Sequence, residues 1–271
     1  MSLVALAIRM AARKALNNAT FAGARIFDSA VMPIDQIAGK EPTPFVSIST
    51  EDETSKPSGR DLNNGDRLID LVIEIAIGEV VELPGEDGEG IAIRDTDATL
   101  ELALAILTRQ INATLFGLGG GAWGEVFRAF VKTIEEFNGR RGVPTKDGQR
   151  FAARQLAYRV RAFAEPEFGP VIAGTPFDRF LAVAEDDETL APVVEVIRNA
   201  IEGRPIDWPE LYTAAAVAGG YTEEEGQSIG IAPLGGHASA PVEEMTVEPS
   251  GVVMDQTMID EALPPEEEED G

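Results

Sequence analysis

The chain has 271 residues, 44% of them hydrophobic, and a formal charge of -25. That length can bury one good core and a small second one, and with no cysteine there is no disulfide, thiolate metal site or Cys nucleophile. Residues 1–165 hold 23 Asp/Glu against 19 Lys/Arg and the remainder 24 against 3, so an ordinary domain precedes a strongly acidic part.

Ser2 as N-cap, followed by Ala, Leu, Arg, Lys and Met to about Asn17, predicts a first helix. Its apolar start, Leu3 to Ile8, is short and precedes its basic residues, the reverse of a secretory signal, so an intracellular origin is expected. No apolar run reaches the ~18 residues of a membrane span. Two short strands are expected around Arg25–Ser29 and Phe45–Thr50, separated by Pro33, Pro42 and Pro44. Residues 51–66, rich in Glu, Asp, Ser, Asn and Gly, read as a mobile loop.

From Arg67 to Gly78 the pattern alternates strictly, with Ile69, Leu71, Ile73, Ile75 and Ile77 on one face and Leu68, Asp70, Val72, Glu74 and Ala76 on the other. This is a long strand of an antiparallel sheet with one face buried and one partly wet. Residues 83–90 read as a loop, and Asp95 or Thr96 then caps a helix with the core stripe Leu100, Ala103, Leu104, Leu107 and Ile111. A glycine hinge at 117–121 leads to a second helix, with Val126, Phe127, Phe130, Val131, Ile134 and Phe137 inward and Gly139 at its end. Arg154 to Ala164 alternates again and supplies a closing strand. The fold class is α+β: a small, mostly antiparallel sheet with helices on one face, over residues 1–165. Residues 166–221 form a helical annex with three short helices. Residues 222–271 form an acidic, disordered tail, with Val247, Val252, Val253, Met258, Ile259 and Leu263 as apolar anchors for a neighbour.

No motif in the chain carries catalysis. Gly119-Gly120-Gly121-Ala122-Trp123-Gly124 spells a dinucleotide fingerprint, but a helix and not a buried strand precedes it. Asp70 and Glu74 share a strand face as paired carboxylates do in glycosidases, yet a wet sheet face explains them as well. His237, the single histidine, lies in the tail, so no triad and no multi-histidine metal centre is possible. The run Glu185-Asp186-Asp187-Glu188 lacks the spacing and glycine of a calcium loop. No cofactor and no metal is expected. Against the acidic trend stands a basic segment of Arg140, Arg141, Lys146, Arg150, Arg154, Arg159 and Arg161, with Asp147 its only acid. It reads either as a phosphate-contacting loop or as a docking site for acid on the same or a neighbouring subunit, and the second is favoured because a charge of -25 opposes approach to DNA, with Arg140, Arg141, Lys146 and Arg150 as the inter-subunit contact.

The helix Leu3 to Leu16, the extended run Arg25-Ile26-Phe27-Asp28-Ser29-Ala30-Val31, the strand Pro44-Phe45-Val46-Ser47-Ile48, the polar loop and the long strand Leu68 to Ile77 before a helix pair come in a distinctive order. In this order the front domain resembles the tail terminator, or tail-completion, proteins of long-tailed bacteriophages, over about 60% of the chain. The resemblance implies a non-enzymatic virion protein, assembled in the host cytoplasm, that forms a homo-oligomeric ring, a hexamer in the family. Such a ring ends tube growth and joins the tail to the head connector, so tail tube protein and neck proteins are the expected partners. Asp52, Glu53, Asp61 and Asp66 are then expected in a lumen-facing loop, with no stable nucleic-acid binding and no membrane. Another neck or head-completion protein is the alternative within the virion. An acidic DNA mimic or partner-sequestering protein is the alternative of a different class.

Overall fold

The computed structural model describes residues 2–28, 43–82, 89–93, 98–141, 152–206, 211, 244–247 and 252–255. They fall into two units, Met1–Ile206 and Asp207–Gly271. In the first, α1 (Leu3–Leu16) is followed by β1 (Ile26–Asp28), β2 (Thr43–Ser55), β3 (Arg67–Glu82) and β4 (Glu89–Ile93). The helices α2 (Ala98–Phe116) and α3 (Gly121–Phe130) come next, then β5 (Val131–Arg141), β6 (Ala153–Ala162), α4 (Pro176–Glu185) and α5 (Ala191–Glu202). The second unit contributes β7 (Glu244–Val247) and β8 (Val252–Asp255), paired antiparallel with Val247 opposite Val252.

The strand order is β1-β2-β3-β6-β5, with β4 pairing the far end of β3. All pairs are antiparallel except β1 on β2, so the α+β sheet is mixed. In its central strand Ile69, Leu71, Ile73 and Ile75 are fully buried, and on the other face Asp70 is half-buried and Glu74 exposed while Val72 and Ala76 are buried as well. Val46 and Ile48 from β2 and Leu156, Tyr158 and Val160 from β6 continue the buried layer. The helices cover that face. Ser2 caps α1 by accepting from the Ala5 amide, an interaction worth about 1 kcal/mol, and its alanines 7, 11, 12 and 15 let α3 approach closely. Of the stripe expected on α2, Leu104, Leu107 and Ile111 are buried and Leu100 and Ala103 half-buried. The residues proposed to cap α2, Asp95 and Thr96, lie outside the described residues.

Phe130 joins this core to the annex, meeting Phe177 edge-on at 4.9 Å and Phe180 at 6.4 Å. Lys14 at the end of α1 ties down the α4–α5 turn through Asp187 at 2.7 Å. Both annex helices therefore pack within the first unit. Of the third expected annex helix only Leu211 is described, and it is helical.

Several expectations need correction, among them the loop expected at 83–90, where β4 begins at Glu89. The helix expected to run from the glycine loop to Gly139 stops at Phe130, and Val131 turns to φ -90, ψ 114 and starts β5. Val126, Phe127 and Phe130 are buried as expected, but Ile134 and Phe137 are 46% and 48% exposed. Valine, threonine and isoleucine at 131, 133 and 134 favour a strand, and the open edge of β6 supplies the hydrogen bonds, so tertiary pairing overrides a helical period. The polar run 51–55 is not loop but the end of β2, paired with Arg67–Ile69 across a bulge between Thr50 and Glu53. A long partner strand and a shared hairpin extend pairing into residues of weak strand preference. Part of the tail, finally, is the β7–β8 pair, where valine, methionine and threonine supply strand preference within an acidic composition.

Candidate assembly interface

The acidic residues expected in one loop take different places. Glu53 sits in β2 and accepts from the Ser2 amide at 2.9 Å, and Glu165, just after β6, accepts from the amides of Leu3 and Val4 at 3.2 and 3.0 Å. Two carboxylates thus hold the amino end of α1, where unpaired N–H groups and the helix dipole favour negative charge. Glu165 escapes sequence reasoning because nothing local marks it; its partners are 161 and 162 residues away. Asp52 also belongs to β2, exposed beside the bulge. Asp66 pairs with Lys132 on β5. Asp61 and Asp66 both remain in the loop between β2 and β3, Asp61 exposed and accepting from the Asn63 amide, Asp66 half-buried just before β3. The bulge physically explains the exposure of Glu51 and Asp52, since both oppose the single residue Asp70 and like charge drives them outward.

The basic segment also divides. Arg154 reaches Glu101 of α2 at 2.6 Å, Arg159 reaches Asp70 at 3.1 Å, and Arg161 reaches Glu135 at 2.8 Å. The Arg161 guanidinium holds the exposed Glu135 carboxyl below its ordinary range, and Glu135 raises Arg161 in turn. These three arginines stabilise the sheet from within one chain. Arg140 and Arg141 stand at the end of β5, both exposed, with Arg141 3.6 Å from Glu101. Lys146 and Arg150 lie outside the described residues. So do Met258, Ile259 and Leu263 of the expected anchors, whereas Val247, Val252 and Val253 lie in the β7–β8 pair.

Every residue of β5 from Lys132 to Arg141 is exposed, although the strand is hydrogen-bonded to β6 along its length. Its apolar members Ile134 and Phe137 face the helix side, opposite Val160 and Tyr158. Phe137 lies 4.9 Å from the Tyr158 ring, which also meets Phe116 of α2 at 5.0 Å. The Tyr158 hydroxyl donates to Asn112 at 2.6 Å, and burial pushes its phenol well above the ordinary range. Leu102 and Ile106 on α2 add further exposed apolar surface. No single helix among the described residues is long and apolar enough to cross a membrane; α2 and α3 qualify only together and are bent by 72°.

The glycine-rich segment is a packed corner and not a hinge. A Cβ on Gly124 would stand 2.3 Å from the Gly119 oxygen, and one on Gly120 about 3.0 to 3.1 Å from Gly124, Ala15 and Thr114. Arg128 fills the space around the turn, donating to the carbonyls of Thr114, Leu115 and Gly119. A helix and not a strand precedes the turn, and Gly120 and Gly124 serve close packing of α1, α2 and α3, whereas Gly121 has open space beside it and a positive φ. Asp70 and Glu74 are bound to Arg159 and Gln155 on the outer sheet face. The acidic run at 185–188 is a helix junction, with Glu185 on Arg198 and Asp187 on Lys14 and Thr189. His237 is outside the described residues, and no group of three or more metal-binding side chains occurs among them. Compared with known proteins, the chain matches no protein-family model, and no curated protein matches its sequence.

Proposed function

We propose that this chain is a non-enzymatic structural protein that forms a ring at the head-proximal end of a phage tail, ends tube growth and joins the tail to the connector. The observation that carries the reading is the order of its elements around one open sheet: helix, short strands, long hairpin, helix pair, then two strands ending on an exposed edge. A domain with a well-buried helix face and a fully exposed edge strand has its unsatisfied surface in the place where copies can add to one another. Tail tube protein and a neck component are the proposed neighbours, and the particle is the proposed location. In this reading the exposed Asp61 loop faces the passage for DNA. The DNA-mimic reading gains little support from the front domain, because Asp70, Glu101 and Glu135 are committed to arginines of the same chain.

Mass measurement by light scattering, with class averages from electron microscopy, tests the ring. A closed ring is expected, either alone or with tube protein added. A monomer at every concentration in both conditions overturns the reading.

A further inference from the structure

Resting on the ring reading, we propose that copies of this chain join head to tail through two opposite sheet edges: β5 of one copy receives the acidic outer end of β2 of the next. The first edge is β5. Two bulges, at Val131/Thr133 and Ile134/Glu136, interrupt its early part, and the regular ladder begins at Glu136 and runs to Arg141. That regular half starts with one acid, Glu136, and its far end carries Arg140 and Arg141. The regular half is the part of this edge with an unbroken row of strand groups, whereas β2 is itself bulged at Glu51 and Asp52, so in the proposed contact these two meet Arg140 and Arg141 as charges and not as ladder rungs.

The second edge lies at the other side of the sheet. There β1 covers β2 only from Val46 to Ile48. Beyond that point β2 runs on to Ser55 with no outer partner among the described residues, and it carries the exposed Glu51 and Asp52. The far end of one open edge is therefore basic and the exposed end of the other acidic. Neither pairs well with its own kind, since like charges directly opposite are destabilising, but each complements the other. The strand directions also agree. Antiparallel neighbours from β2 through β3 and β6 to β5 leave β2 antiparallel to β5, so the next copy's β2 continues the alternation.

The registers set the offset. Thr50 shares a rung with Phe137 through Leu71 and Tyr158, and Ser47 shares one with Arg140 through Glu74 and Gln155. Bringing Glu51 and Asp52 opposite Arg140 and Arg141 therefore needs a stagger of about four residues, roughly 13 Å at ~3.3 Å per residue. A closed ring absorbs such stagger as strand tilt. Two different surfaces joined in this way make a heterologous contact, the kind that closes into rings.

The test uses two full-length charge reversals, Arg140→Glu with Arg141→Glu and Glu51→Lys with Asp52→Lys, compared with wild type by native mass spectrometry and sedimentation velocity. All four positions are exposed, and circular dichroism with thermal melting checks that each variant folds. Each variant alone is expected to associate at least about tenfold more weakly than wild type, because like charges then meet at every contact. An equimolar mixture is expected to recover rings of alternating variants, since each reversed edge then meets an unlike one. Wild-type rings with either variant assembling unchanged, or with a mixture that stays dissociated, overturn this contact and leave the ring reading standing. A wild-type chain that remains monomeric overturns both.

Discussion

At the scale of single residues, long-range carboxylates carry much of the fold's local order. Glu165 accepts from two amides at the start of α1, so Glu165→Ala leaves both to solvent and removes a charge that the helix end favours. A loss of about 1–2 kcal/mol is expected, readable as a lower midpoint in urea unfolding. Asp187 offers a pH-dependent contact. Burial pushes its carboxyl up, but hydrogen bonds from Lys14 and Thr189 and the Lys14 charge outweigh this and hold it below the ordinary value. A group depressed in the folded state adds stability that is present above its unfolded pKa and lost as pH falls through the folded one. The α1–annex contact should therefore weaken as pH drops below about 4, and Asp187→Asn should flatten that part of the stability curve. An unchanged acid limb in the variant, followed by fluorescence of Trp123 beside Phe180, would remove Asp187 from the account.

At the scale of elements, the α2–α3 corner shows packing winning over helix preference. Alanine is a better helix former than glycine by about 1 kcal/mol, which alone makes Gly124→Ala stabilising within α3. The methyl group, however, meets the Gly119 carbonyl at 2.3 Å and crowds Arg128. Overpacking against backbone costs typically 1–3 kcal/mol, so the variant is expected to melt at a lower temperature than wild type. The same contest between local preference and surroundings decides β5. Its residues repeat at helical spacing, yet the strand pairs with β6 from Val131 to Arg141. Because the apolar side chains Ile134 and Phe137 then lie on an edge rather than in the core, an element that reads as buried becomes surface. Exposure of this kind is invisible in a periodicity, which reports which residues share a face and not whether anything covers it.

For the whole molecule, net charge bears on what the protein binds. A formal charge of -25, with the sheet arginines Arg154, Arg159 and Arg161 already paired to carboxylates, leaves little basic surface for phosphates. The ring proposed above would be served by that balance, since several Lys/Arg contacts would hold a passing duplex strongly. The purified protein is expected to bind duplex DNA negligibly at physiological salt. Tight, salt-sensitive binding in a mobility-shift assay would instead make Arg140 and Arg141 a nucleic-acid site. The α+β class, the buried face of β3, the start of α1 and the stripe on α2 were all legible in the chain, because burial of one face writes a period into the residues of the element itself. The end of α3, the pairing of residues 51–55, the parallel placement of β1 and the carboxylates at α1 were settled only by the tertiary structure. Each depends on a partner far away in sequence, and neither period nor composition carries the identity of that partner.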